Sequence, residues 1–129
     1  MGTFLMDTNA GIDLLKGQFS PSVTAWFDNH VNDENICISV INKIELLGFN
    51  ATPQNSKDLQ DLVDSVEILS LTDAIVNETI VLRKIKKIKL ADAIIAATAI
   101  VHNLTLVSRN TVDFKNIAGL TCLDPYSDI

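Results

Sequence analysis

The sequence predicts a single α/β domain over residues 1–129, with a central parallel sheet of about five short strands and helices on both faces. Short apolar, β-prone runs recur at 3–7, 36–39, 66–69, 104–107 and 120–123. Between them lie longer stretches with helical spacing of apolar residues. Short β-branched runs separated by helices are the pattern of a parallel sheet covered on both faces.

Taken in order, TFLMD (3–7) is a first strand that ends in an acid. NAGIDLLK (9–16) reads as a short helix that stops near Gly17. Ser20 then caps a helix with Pro21 at its first position; it runs to about Asn29, with Val23, Trp26 and Phe27 on one face. After the polar loop VNDEN, ICIS (36–39) is a buried strand. VINKIELLGF (40–49) carries apolar groups at 41, 44, 47 and 48/49 and reads as a helix, broken by ATPQNS. A helix over 54–64 leads to the strand VEIL (66–69). Thr72 and Asp73 open a long helix, 73–87, whose last turns hold Arg83, Lys84, Lys86 and Lys87, the signs the helix dipole prefers. A break near 88–90 precedes a helix over 91–102, the strand LTLV (104–107), the polar loop SRNTVDFKN, the strand LTCL (120–123) and the tail DPYSDI. The order is βααβααβααβ(α)β, with no repeat, low-complexity segment or linker. In open sheets of this kind ligands bind outside the carboxyl ends of the strands, near the switch point of strand order.

Composition bounds the function classes. With 129 residues and 47% hydrophobic content, the chain can build one sizeable core. No apolar run is long enough to cross a bilayer, and the start MGTFLMDTN has no basic stretch before its apolar residues. A cytoplasmic protein without a membrane partner is the expectation. Cys37 and Cys122 lie in apolar stretches without Cys-x-x-Cys spacing and are expected to be buried free thiols. His30 and His102 lack ligand spacing. The net charge of −6 argues against a sequence-specific DNA binder that works through a basic field. It leaves open a nucleic-acid enzyme whose carboxylates hold divalent cations, because the ions reverse the local sign.

Acids stand where chemistry is expected. Asp7 ends the first strand, at the carboxyl edge of the sheet; a helix N-cap is the plain structural alternative. Glu45 has Ile41, Ile44 and Gly48 as helical neighbours and reads as an acid on or beside an apolar face. There it is paired, protonated or holding a cation, unless it turns to the edge of that face and stays solvated. Asp92 opens the alanine-rich helix beside Ile95, Ala96 and Ala99, although an acid in a first helical turn also complements the dipole. Asp113 follows the fourth strand, near Ser108 and Asn110, both of which could cap a turn. Acids from four segments that converge on one sheet edge repel unless neutralised. Oxygen-only sites of this kind select hard cations such as Mg²⁺ or Mn²⁺, which activate water for phosphodiester cleavage. No Ser–His–Asp, P-loop or G-x-G-x-x-G pattern competes.

MDTN (6–9), the Ser39-to-Glu45 stretch ending in IEL, LADAIIAATA (90–99) and LVSRNTVDF (106–114) resemble, in order, the signatures of PIN-domain nucleases, and most of all their VapC-type toxin branch. The resemblance covers nearly the whole chain. It implies a Mg²⁺- or Mn²⁺-dependent endoribonuclease with Asp7, Glu45, Asp92 and Asp113 as the acidic set. Asp7, Asp92 and Asp113 would hold the metal, and Glu45 would bind or orient metal-bound water. Thr8 or Asn9, with Ser108 and Asn110, would form the polar ring behind the acids. Some relatives carry an acid where Asn110 stands, so a neutral amide there bears on a second metal ion. The resemblance further implies a homodimer and an antitoxin that covers the acidic pocket. The chain departs from the family in IKKIKLAD, which has Lys87 and Ala91 where many relatives have Gly and a Leu-Pro pair. The basic run Arg83–Lys89 next to Asp92 is either a solvated helix end or a rim that steers RNA phosphates; Lys87, Lys89 and Arg109 are the candidate RNA contacts.

Three other readings compete with this one. A PIN-type nuclease of RNA processing, without an antitoxin, differs little in sequence. A phospho-acceptor signalling domain would need an acidic pair after the first strand, an acceptor Asp ending the third and a Lys after the fifth, whereas the chain has single Asp7, VEILSLTD and LTCLDP there. A catalytically dead binding module has no support, because all four acids are present.

Overall fold

A computed structural model describes residues 3–129; Met1 and Gly2, the start of the stretch read for a leader, lie outside the described residues. Twelve elements follow one another. They are β1 (Phe4–Met6), α1 (Thr8–Leu15), α2 (Pro21–Asn32), β2 (Ile36–Ser39), α3 (Val40–Leu47), α4 (Pro53–Asp64), β3 (Glu67–Leu69), α5 (Asp73–Ile85), α6 (Leu90–Val101), β4 (Thr105–Val107), α7 (Thr111–Phe114) and β5 (Thr121–Leu123). This is the element order expected from the sequence, with the bracketed helix realised as one turn, α7.

The five strands form one parallel sheet in the order β3-β2-β1-β4-β5. Alternation along the strands divides the core into two layers. Leu5, Cys37, Leu69 and Leu106 face one side, where they meet Ile75 and Leu82 of α5 and the small residues Ala93, Ala96, Ala97 and Ala99 of α6. Met6, Ile36, Ile38 and Val107 face the other, against Ala10, Val23, Phe27, Leu46, Leu59 and Val63 from α1–α4. The alanines let α6 lie close to the sheet, and both faces are covered as predicted.

Caps fix the helix starts. Ser20 Oγ accepts from Val23 N at 3.3 Å, Thr52 Oγ1 from Asn55 N at 3.2 Å and Thr72 Oγ1 from Ile75 N at 3.3 Å, with Pro21 and Pro53 in first-turn positions. Three expectations need correction. The helix predicted over 73–87 ends at Ile85, because Lys86 is extended (φ −144°) and the chain turns inward to bury Ile88. Lys86 and Lys87 therefore leave the last turn, and Lys86 Nζ donates to the Lys115 carbonyl at 2.9 Å. Both thiols are free, but only Cys37 is buried; Cys122, on edge strand β5, is half-buried. The helix expected to end near Asn29 runs to Asn32, taking in the first two residues of the VNDEN stretch, while half-buried Trp26 packs on Phe27 and the core from the face it was expected to share with Val23 and Phe27. Among the described residues no helix is long and apolar enough to cross a membrane.

Candidate active site

Strand order reverses direction between β1 and β4, the central pair, in register Met6↔Val107. The residues that follow, Asp7 and Ser108, emerge side by side at the carboxyl edge although 101 positions separate them. Asp7 N donates to the Val107 carbonyl at 2.9 Å, which extends the ladder by one bond. Asp7 is also the N-cap of α1, the structural alternative read from the sequence: Oδ1 accepts from Thr8 N at 2.8 Å. Oδ2 accepts from Ser108 Oγ at 2.8 Å and Asn9 Nδ2 at 3.2 Å. Burial raises the Asp7 carboxyl above the usual carboxylate range. The hydrogen bonds from Ser108 and Thr8 pull it down, and the charges of Asp92 and Glu45 push it up again.

Glu45 is not on a buried face. Asn42 and Leu46 make the buried side of α3, while Ile44 is 63% exposed. The apolar spacing at 41, 44 and 47 suggested a different face, but α3 packs against both α1 and α4, which turns positions 42 and 46 inward. Glu45 is exposed at the pocket rim, where Thr8 Oγ1 donates to its Oε1 at 2.7 Å. Thr8 in turn accepts from Asn42 Nδ2 at 3.1 Å.

Asp92 is half-buried in the first turn of α6, with Ile95, Ala96 and Ala99 of the same helix in the core. Its carboxyl is raised, first by burial, then by the charges of Asp113 and Glu45, against a lowering pull from Lys89. Asp113 is exposed on α7, where Asn110 Nδ2 donates to its Oδ2 at 3.0 Å and Asn110 Oδ1 caps the turn. Phe114, buried beside it, anchors the turn. Asn110 is held by its backbone N–H, which donates to Ser108 Oγ at 3.0 Å.

Asp7, Glu45 and Asp92 share one open pocket of about 530 Å³, with Thr8, Asn9 and Asn110 in its lining. Asp113 lies apart, on a neighbouring hollow with Arg83, Lys87, Ile88 and Lys89, close enough for its charge to act on Asp92. The candidate RNA contacts separate likewise: Lys87 and Lys89 flank Asp113, and Arg109 lines the main pocket. Among the described residues, no group of three or more His, Cys, Asp or Glu side chains is close enough to enclose a metal ion. The donor set is nonetheless oxygen-only and mutually repelling, which suits a hard divalent cation that completes its coordination with water.

Sequence reasoning missed two groups. Asn42 is fully buried; its Oδ1 accepts from Ser39 N at 2.9 Å in a capping box, and its Nδ2 reaches Thr8 behind the acids. The Ser39-x-x-Asn42 spacing was its signal. Asp13 is 5% exposed, with Arg109 and Tyr126 on its carboxylate. An acid between Ile12 and Leu14 was the hint, but its partners lie 96 and 113 positions away.

The family model for the PIN domain matches residues 4–120. A chain from a toxin-antitoxin complex of Klebsiella pneumoniae is 30% identical with a TM-score of 0.74, over 95% of this chain and 97% of that one. A chain of VapBC-1 from nontypeable Haemophilus influenzae is 25% identical with a TM-score of 0.74, over 95% and 97%. DNA-bound VapBC from Salmonella typhimurium shares the fold with a TM-score of 0.81 at 22% identity, over 97% and 99%. A search of curated proteins found no match. The resemblance carried by the four motifs is thus borne out. With the family model spanning almost the whole sequence and Asp7, Glu45 and Asp92 sharing a pocket at the switch point, the chain belongs to the PIN-domain family.

Proposed function

We propose that the protein is a divalent-metal-dependent endoribonuclease that acts as the toxin of a toxin–antitoxin pair. The observation that carries the reading is the shared pocket of Asp7, Glu45 and Asp92 at the β1/β4 switch point. Similarity to chains from toxin–antitoxin complexes supports the toxin role over RNA processing.

Asp7 and Asp92 would hold Mg²⁺ or Mn²⁺, with Asp113 completing the set from α7. When bound, such an ion stabilises the charge that develops on the phosphate and supplies a nucleophile at neutral pH. The chain's own residues fix the rest. Ser108, Thr8 N–H and Asn9 hold both Asp7 oxygens in place. The relay Asn42 → Thr8 → Glu45 keeps the Glu45 carboxylate at the pocket rim, where it can orient water and take its proton. Asn110 positions Asp113, and Lys87, Lys89 and Arg109 offer phosphate contacts.

Two partner expectations follow. An exposed apolar row on α5 (Val76, Ile80, Val81, Ile85) is a face for a second copy of the chain. The acidic pocket is a target for a basic side chain of an antitoxin. Cleavage of an RNA panel with Mg²⁺, Mn²⁺ or EDTA tests the reading. Wild type is expected to cleave with either ion and not in EDTA, and Asp7→Asn and Asp92→Asn to be inactive yet folded. Activity retained in EDTA or in either variant overturns the mechanism.

A further inference from the structure

Beside its acids the main pocket has a second chemistry: Lys16, Gln18, Phe49, Arg109, Asp13 and Tyr126 also line it. Arg109 and Asp13 form a salt bridge in which Nη1 alone meets both carboxylate oxygens, at 2.9 and 3.1 Å. Tyr126 Oη donates to the same Oδ2 at 2.9 Å. Asp13 is buried, whereas the Arg109 side chain is 54% exposed. Among the described residues, Nε and Nη2 of Arg109 have no side-chain partner, so part of its donor fork stays free. Tyr126 rests against Phe19, ring centroids 4.9 Å apart, and remains half exposed.

We propose that Arg109 and Tyr126, fixed by Asp13, form a nucleotide subsite in the same pocket as the acids, in which Arg109 takes the phosphate next to the scissile one and the open face of Tyr126 takes a base of single-stranded RNA. The proposal rests on the ribonuclease reading above. An isolated surface arginine gains little from a carboxylate it could exchange for water. Here the carboxylate is buried and doubly held, so it sets the direction of the guanidinium. Charge decides where in the pocket a substrate backbone sits. Among the described residues Asp7, Glu45 and Asp92 have no cation paired with them, whereas Arg109 balances the fourth lining acid, Asp13, and Lys16 adds a further cation to the lining. A polyanion that enters a pocket of a chain with net charge −6 is drawn to Lys16 and to the free donors of Arg109. A planar fork matches a phosphate bidentately, and a half-exposed aromatic face accepts a base without sequence preference. Asp13 touches no substrate in this arrangement; it is a positioning residue.

The test has two readouts. Fluorescence anisotropy follows binding of a labelled random-sequence single-stranded RNA 12-mer to Asp92→Asn protein in Mg²⁺, alone and combined with Arg109→Ala, Arg109→Lys, Tyr126→Ala or Asp13→Asn. Steady-state cleavage follows the same substitutions in otherwise wild-type protein. Arg109→Ala is expected to weaken binding about tenfold and to flatten the salt dependence of log Kd by about 0.7. Arg109→Lys fails to restore affinity. Tyr126→Ala weakens binding about fivefold or more and leaves the salt slope unchanged. Asp13→Asn weakens binding although it removes a negative charge, the opposite of simple field attraction. In cleavage, KM rises with kcat little changed. The exposed positions Arg109 and Tyr126 keep the test open if Asp13→Asn does not fold. If wild type cleaves RNA but Arg109→Ala and Tyr126→Ala keep wild-type KM and affinity, the subsite is overturned and the ribonuclease reading stands. The same holds if these variants lose only affinity for a protein partner. If wild type neither cleaves nor binds RNA, the ribonuclease reading falls and the subsite with it.

Discussion

Ser108→Ala isolates the support beneath the first acid. Ser108 is fully buried; its Oγ donates to Asp7 Oδ2 at 2.8 Å and accepts from Asn110 N–H at 3.0 Å. A hydrogen bond to a charged group contributes about 1.5–3 kcal/mol, and alanine fills the space without replacing it. At about 2.1 cal/mol/K per residue, a chain of 129 residues has an unfolding entropy of about 0.27 kcal/mol/K, so Tm should fall by about 6–11 °C. The measurement is thermal and urea unfolding in EDTA at neutral pH. The pH dependence carries a sign. Asp7 is already raised, and the Ser108 bond is one of the interactions that lower it, so its loss raises Asp7 further. The penalty is therefore full above the variant's higher Asp7 pKa. It shrinks as pH falls from there to the lower folded value of the wild type and is least below both, because a protonated carboxyl no longer needs the donor. In an Asp7→Asn background the cost should drop to the roughly 0.5–1.5 kcal/mol of a neutral bond. An unchanged Tm, or an identical cost in both backgrounds, would refute the account of how Asp7 is held.

Other outcomes follow from the same structure. Phe27→Ala, at a fully buried ring stacked on Phe19, should cost about 3–5 kcal/mol, read from urea midpoints; less than 1 kcal/mol would mean that α2 is not docked as described. Burial pushes the Cys37 thiol up to about 12 and Cys122 up to about 11, so neither should react rapidly with a disulfide reagent at pH 8 until the protein unfolds; fast stoichiometric labelling of native protein would contradict this. MgCl₂ at about 100 times its Kd should stabilise the fold by about 2.7 kcal/mol, or about 10 °C in Tm, and Asp92→Asn should abolish the gain. That gain should weaken as pH falls through the raised Asp7 and Asp92 range, where protons compete with the cation; a shift independent of pH would exclude those carboxylates as ligands.

Local rules in the sequence were enough for the element order and the layering. Apolar runs at ICIS and LTLV became β2 and β4, Ser20–Pro21 and Thr72 started helices through their own hydroxyls, and the alanines of α6 marked close packing on the sheet. Asp7 and Asp92 could be placed at a strand end and a helix start because those positions are set by neighbours a few residues away. Tertiary packing decided what depends on partners far along the chain. Pairing β1 with β4 brought Ser108 to Asp7, and no periodicity records which strands become neighbours. Docking of α3 against α1 and α4 turned Asn42 inward and Glu45 outward, because an eight-residue helix with apolar groups on several sides takes its buried face from whatever covers it. Asp13, Arg109 and Tyr126 meet only after the sheet has closed. Their mutual neutralisation is what lets an acid sit buried there, and it is invisible while the three lie in separate segments.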